Sequence, residues 1–342
     1  MKTFFSEDHR RHFPQAELSS GQFVTPFERP ARVEYVLERL RGRDFSTPLD
    51  PGPCHTGVLE KVHDKGYLDF LKTAWADWIA AGHRGELIPT MFPARRMQQR
   101  RPNDIDGKAG YYAMASETAI TRGTWRAALS SCACAQAAQR AIVKGDDAAF
   151  ALCRPPGHHA AIDMFGGYCF LNNAAVAAQM FIDAGAERAA VLDIDFHHGN
   201  GTQDIFYERG DVFFASLHGQ PEDAFPHFLG YADETGQGAG EGANANFPMP
   251  PGTAYDVWSQ ALDRALDAIR NHGTEALVVS LGTDAFKNDP ISFFKLESDD
   301  FTDCGRRIAG LGIPAMFVME GGYAIEAVGI NAVNVLEGFL NA

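Results

Sequence analysis

Apolar and polar positions along the chain follow two rhythms. Over 125–144, 171–183, 255–272, 301–311 and 327–340, apolar residues recur at helical spacing. Between these helices stand short, nearly continuous apolar runs at 148–153, 189–196, 212–217, 276–281 and 314–319. Such runs read as strands buried on both faces. Their alternation with helices predicts an α/β fold with a central, mostly parallel sheet covered on both sides. Earlier in the chain, helical patterns cover 32–41, 57–80 and 109–120. Between the last two lies a polar stretch containing Pro and Arg, 86–106. It reads as an excursion and not a linker, because helical patterning resumes at once. The expectation is one domain over 1–342, with ligands held beyond the carboxyl ends of the strands.

Three of the apolar runs end in polar clusters. The run from Ala189 leads into Asp193-Ile194-Asp195-Phe196-His197-His198-Gly199-Asn200. Strand alternation puts Asp193, Asp195 and His197 on one face, with Ile194 and Phe196 opposite. The run ending at Leu281 is followed by Gly282-Thr283-Asp284. Two aspartates and one histidine leave one position open on a tetrahedral Zn²⁺, as a catalytic zinc requires. Taken singly, the aspartates would serve as strand-end caps and the histidine as a satisfied core residue. Several ionisable groups on one buried strand are costly without a metal or partner.

A second cluster, Arg154-Pro155-Pro156-Gly157-His158-His159, follows the run ending at Cys153. Paired imidazoles divide base and acid or electrostatic roles when their partners differ; a surface pair or a separate metal site are the alternatives. The third is Glu320-Gly321-Gly322-Tyr323, where a Tyr hydroxyl can donate to a developing oxyanion. By itself it is equally a turn.

Composition narrows the class. The chain is 45% hydrophobic and 22% charged, ordinary for a globular protein. A net charge of −14 argues against nucleic acid, which needs clustered Lys and Arg, and is compatible with a cationic substrate. It also fits an acidic protein with no such partner. The six cysteines form no CxxC pair, so disulfides and structural zinc are not expected and a reducing cytoplasm is. The first residues soon turn charged, without the apolar run of a signal peptide. No stretch approaches the roughly 18 apolar residues of a membrane span.

The segments RPPGHHA (154–160), GGYCFLNNAA (166–175), VLDIDFHHGNGTQDIF (191–206), SLGTDAFKNDP (280–290) and MEGGY (319–323) together resemble the zinc-dependent deacetylase family. That family includes histone deacetylases, acetoin-utilisation proteins and bacterial acetylpolyamine amidohydrolases, and the last is the branch most resembled. The resemblance covers nearly the whole chain and implies the arginase/deacetylase fold. It implies that Asp195, His197 and Asp284 ligate one Zn²⁺, or Fe²⁺ in its place. His159 would be the general base, His158 its electrostatic or acid partner, and Tyr323 the donor to the substrate carbonyl. Asp193 and Asn200 would sit behind His158 and His159 and orient them. Asn200 departs from members that carry Asp there, which leaves His159 less basic.

Structural K⁺ is implied at Asp193, Asp195, His197, Ser216 and Leu217, with a second site near Phe206, Asp211, Val212 and Phe247. The two-manganese arginases need further carboxylates, and Gly199, Gly282 and Phe286 stand in the relevant positions.

Tunnel walls map onto Gly167, Tyr168, Phe225 and Ile291, each of which also reads as ordinary core. The segment at about 84–118 resembles the acetylpolyamine branch's insertion, which implies a homodimer and a narrowed mouth. Glu117 and Asp106 would pair with a distal ammonium, or else be solvated helix-end charges. The expected activity is deacetylation of small acetylated amines such as acetylputrescine, acetylcadaverine or acetylspermidine. The alternatives are a peptide acetyl-lysine deacetylase and a non-catalytic acyl-amine sensor.

Overall fold

The computed structural model describes residues 1–43, 45–94, 96 and 98–342. Two positions of the 86–106 excursion, Arg95 and Met97, therefore lie outside the described residues. The elements in chain order are β1 (Lys2–Phe4), β2 (Glu17–Ser19), β3 (Gln22–Val24), α1 (Ala31–Arg41), α2 (Lys65–Ala80), α3 (Ile105–Tyr111), α4 (Thr124–Val143), β4 (Ala148–Ala151), α5 (Asn173–Asp183), β5 (Ala189–Asp193), α6 (Asn200–Phe206), β6 (Val212–Gly219), β7 (Asn244–Met249), α7 (Tyr255–His272), β8 (Ala276–Leu281), α8 (Ser298–Ala309), β9 (Ala315–Met319) and α9 (Ile325–Leu340).

Seven strands form one sheet in the order β1-β4-β9-β8-β5-β6-β7, and every pairing within it is parallel. Alternate side chains of each strand enter two separate cores. Ala149, Val191, Phe214, Val278 and Val318 pack under α2, α4 and α5. Phe150, Leu192, Phe213, Val279 and Phe317 pack under α1, α7, α8 and α9. This two-sided burial is why the strands read as unbroken apolar runs. No helix among the described residues is long and apolar enough to cross a membrane.

The structure departs from the sequence pattern at identifiable places. The single helix expected over 57–80 is a 3₁₀ turn (Thr56–Lys61) followed by α2, because the Asp64 side chain accepts from Tyr67 N and caps a new helix. The helix expected over 109–120 ends at Tyr111. Beyond it Ala113 bridges Phe165, and Ile120 exchanges backbone hydrogen bonds with Leu87. The start of the excursion is thus paired with Ile120, the chain after α3 is bridged to Phe165, and Glu117 is not helical. β7 escapes the pattern because Asn244, Asn246 and Pro248 interrupt it. As the last strand of the sheet it tolerates a proline. The β2–β3 hairpin turns on Ser20 and Gly21, both at positive φ, the geometry of a two-residue type I′ turn.

A buried charge triad fastens the N-terminal region to the carboxyl end of the sheet. Glu28 Oε1 accepts from Arg32 Nη1 at 3.1 Å and Arg154 Nε at 2.8 Å. Arg154 also donates to the carbonyls of His9 and His12. Glu28→Ala leaves two buried guanidinium groups facing each other and should cost about 3–5 kcal/mol. The check is the denaturant midpoint; a wild-type midpoint would show that the triad contributes nothing.

Candidate metal centre and active site

Five loops at the carboxyl end of the sheet supply the site. β5 stops at Asp193, not at Phe196, so strand alternation does not orient Asp195 and His197. Asp193 Oδ1 instead accepts from Asp195 N at 3.1 Å, and Asp195 Oδ1 from His197 N at 2.9 Å. These side-chain-to-backbone bonds curl the chain and bring Asp195 and His197 to one point. Asp284, from the loop after β8, joins them: its Oδ2 lies 2.9 Å from His197 Nδ1, and its Oδ1 accepts from Phe196 N at 2.7 Å. Asp195 Oδ2 accepts from Gly321 N at 2.8 Å. A Cβ at Gly282 or Gly321 would fall on the carboxylates, so both positions require glycine.

One ligand atom from each of Asp195, His197 and Asp284 lies within 4.8 Å of the others, and all three residues are buried. Burial and the neighbouring Asp195 charge push Asp284 up to about 8. Burial opposes a charge on His197, yet Asp195 and Asp284 hold its pKa up at about 10. Asp195 is held ionised, while Asp284 and His197 retain protons that a bound cation would replace; this buried donor set fits a divalent metal.

His158 and His159 lie side by side, ring centroids 4.0 Å apart, with unlike partners. His158 Nδ1 is 2.9 Å from Asp193 Oδ2; His159 Nδ1 is 2.6 Å from Asn200 Oδ1. Burial disfavours charge on both. At His158 the Asp193 and Asp195 carboxylates win and raise the pKa to about 10. At His159 burial, reinforced by His158 and His197, drives it well below the ordinary value. Glu320 fixes the loop, its Oε2 accepting from Gly157 N at 2.6 Å and His158 N at 3.2 Å.

Tyr323 follows β9. Asp289 Oδ2 accepts from Tyr323 N at 2.6 Å and from Ala324 N at 3.1 Å. Arg32 donates to the carbonyls of Gly322 and Glu320, and its guanidinium lies 4.8 Å from the Tyr323 ring centroid. Burial holds the phenol pKa well above its ordinary value, so the hydroxyl keeps its proton.

A cavity of about 450 Å³ opens onto this group. His159, His197 and Tyr323 line it, and His158 does not. Gly167, Tyr168, Phe225 and Ile291 all contribute to its wall, with Phe225 edge-on to His159 at 5.1 Å. Glu117 reaches the cavity, but its Oε1 accepts from Gly167 N at 2.8 Å. Asp106 does not: it sits in the first turn of α3, outside the lining.

Among the implied potassium positions, Ser216 stands beside Asp193 in the sheet register, with Leu217 next along β6. Phe206, Asp211 and Val212 gather near the start of β6. Phe247 does not join them, because it pairs with Leu217. Five residues of strand, about 16 Å, separate that level from Val212.

Sequence reasoning missed Glu17, which the hairpin delivers to the rim, where it accepts from Tyr168 Oη at 2.7 Å. It also gave no role to Asp289, Glu320 or Arg32. Asp289 and Glu320 lie inside motifs already singled out; Arg32 is an ordinary position in an amphipathic helix.

A profile of the histone deacetylase domain matches residues 26–339. The chain belongs to the histone deacetylase family. It is 58% identical over 338 residues to the acetylpolyamine amidohydrolase of Mycoplana ramosa, covering 99% of each chain. To acetylpolyamine amidohydrolase 1 of Pseudomonas aeruginosa it is 53% identical over 344 residues, covering 100% of this chain and 99% of that one. The fold matches the crystal structure of the Burkholderia pseudomallei acetylpolyamine aminohydrolase with a TM-score of 0.94 at 38% identity, over 99% of this chain and 98% of that one. It matches the HDA15 HD domain at 0.82 and 25%, over 100% of this chain and 91% of that one. This histone deacetylase family member is a hydrolase.

The two histidines make one prediction for this family member. Only neutral His159 can accept a proton, and its depressed pKa keeps it neutral into acid. Asn200→Asp places a carboxylate against the His159 ring and should raise that pKa. The acid limb of the kcat/KM profile should move to higher pH; an unmoved limb would mean that His159 does not set it.

Proposed function

We propose that the chain removes the acetyl group from small acetylated di- and polyamines of the acetylputrescine, acetylcadaverine or acetylspermidine type. The cavity carries this reading. Its lining combines His159, His197 and Tyr323 with aromatic side chains and the carboxylates Glu17, Glu117 and Asp223. A slender aliphatic amide with a distal ammonium matches it in shape and charge. The relatives named acetylpolyamine amidohydrolases support the same substrate class.

Asp195, His197 and Asp284 would hold zinc, with ferrous iron the alternative. Bound there, the metal would polarise the amide carbonyl and lower the pKa of water towards ~7. His159 takes the proton of the attacking water. His158, charged through Asp193, stabilises negative charge beside it. The Tyr323 hydroxyl donates to the oxyanion as it forms. The departing amine regains a proton from the histidine pair. Potassium near Asp193 and Ser216, a cytoplasmic setting, and a homodimer built through 84–118 complete the reading. The exposed Met91 and Phe92 of that segment support the dimer.

Metal-loaded protein should hydrolyse acetylputrescine with a higher kcat/KM than an acetyl-lysine peptide. A wide margin the other way would assign it to peptide deacetylation. Failure of zinc-titrated apoprotein to hydrolyse any acetylated amine would leave a sensor. Tyr323→Phe should lower kcat by about 10²–10³-fold with metal content unchanged; undiminished turnover would remove Tyr323 from the chemistry. Glu117→Ala should harm charged acetylpolyamines far more than a neutral acetylated amine, whereas equal losses would make Glu117 a structural acceptor for Gly167.

A further inference from the structure

Away from the cavity, one thiol of α4 and one from the segment before the 3₁₀ turn form a pair that the proposed chemistry does not use. Cys132, fully buried on α4, and Cys54, half-buried in the segment before the 3₁₀ turn, face the same side chain, Gln136. Gln136 holds them together. Its Nε2 lies 3.5 Å from Cys54 Sγ and 3.6 Å from Cys132 Sγ, while its amide also bonds both backbone groups of His55. One helical turn further on, Arg140 has a buried Nη1 without a hydrogen-bond partner. His55, the residue after Cys54, and Arg140 line a surface cavity of about 400 Å³ beside this edge of α4.

We propose that Cys54 and Cys132 form a reversible disulfide, with a peroxide as oxidant. The Cys54 sulfur attacks one peroxide oxygen and the O–O bond breaks. Cys54 becomes a sulfenic acid and, with a proton, the second oxygen leaves as water. The Cys132 sulfur then attacks the Cys54 sulfur, the S–O bond breaks, and its oxygen leaves as water with the Cys132 proton. The two thiols give up two electrons, the peroxide is reduced to two waters, and a dithiol reverses the change.

The environment favours attack from Cys54. The neighbouring Cys132 thiol, opposed by burial and aided by Gln136 and Arg140, lowers its pKa. Cys132 is raised well above the ordinary value by the same pairing and by burial. A half-buried thiol with a lowered pKa beside a buried resolving thiol is the arrangement that redox-responsive pairs require.

The pair is coupled to the active site through the next residue of α4. Ser131 Oγ donates to the carbonyl of Pro155 at 2.7 Å and accepts from Asn173 Nδ2 at 3.1 Å. Pro155 begins the turn that presents His158 and His159. Drawing Cys132 towards Cys54 therefore displaces the support of the histidine loop, and turnover falls. This second step rests on the proposed amide hydrolysis; the disulfide itself does not.

The test treats metal-loaded full-length protein with hydrogen peroxide, followed by differential alkylation and peptide mass spectrometry. The expected product is a Cys54–Cys132 cross-linked peptide, absent after dithiothreitol and in Cys54→Ser. Cys132→Ser should instead leave a Cys54 sulfenic acid that dimedone traps. Two free thiols after oxidation, or cross-links confined to other cysteines, would overturn the proposal. Amide hydrolysis should fall severalfold in the oxidised wild type, recover with dithiothreitol, and resist peroxide in Cys54→Ser. An equal, irreversible loss in Cys54→Ser would overturn the link to catalysis while the cross-link remained the separate readout.

Discussion

Four carboxyl groups, Asp193, Asp195, Asp284 and Glu320, lie fully buried at or just beyond the ends of three adjacent parallel strands. An ionised carboxylate in such a place is stable only if its charge is answered at short range. Here the answers come from backbone N–H groups of Gly157, Phe196 and Gly321, from His158 and His197, and from a position where a cation would sit. The rest of the site obeys that requirement. Loops approach close enough to donate backbone hydrogen bonds, and Arg32 secures the turn before Tyr323 from behind.

The same requirement separates two chemically identical rings. His158 and His159 are neighbours in sequence and in space, and both are buried. One faces a charged acceptor and the other a neutral amide. The Asp193 and Asp195 carboxylates beside His158, against the neutral Asn200 amide and the neighbouring imidazoles beside His159, favour charge on one ring and oppose it on the other although both are buried.

Much of this is legible in the chain without the fold. Parallel strands buried on both faces leave continuous apolar runs, and chemistry at their carboxyl ends is a consequence of topology. Motif spacing carries the Asp195, His197, Asp284, His158, His159 and Tyr323 group. What stays hidden depends on long-range contact. Glu17 is one acid in a polar N-terminal stretch until a hairpin turns it towards Tyr168. Arg32 reads as helix surface until its guanidinium meets a turn 290 residues away. Asp106 and Glu117 both belong to the segment at about 84–118, and sequence alone does not say which of them meets the cavity. The end of α3 at Tyr111 parts them and leaves only Glu117 at the cavity. Phe247 is misplaced by sequence alone because residue counting gives no register between β6 and β7.

The glycines at 282 and 321 bear on how this enzyme can diversify. With carboxylate oxygens where their side chains would be, neither position can acquire a new group without dismantling the centre. Selectivity must therefore be rewritten elsewhere, on the hairpin and on the loops after β4, β6 and β8 that form the walls. Reactivity and selectivity thus occupy different parts of the chain, and a descendant could exchange one acylated amine for another while its hydrolytic core stayed as it is.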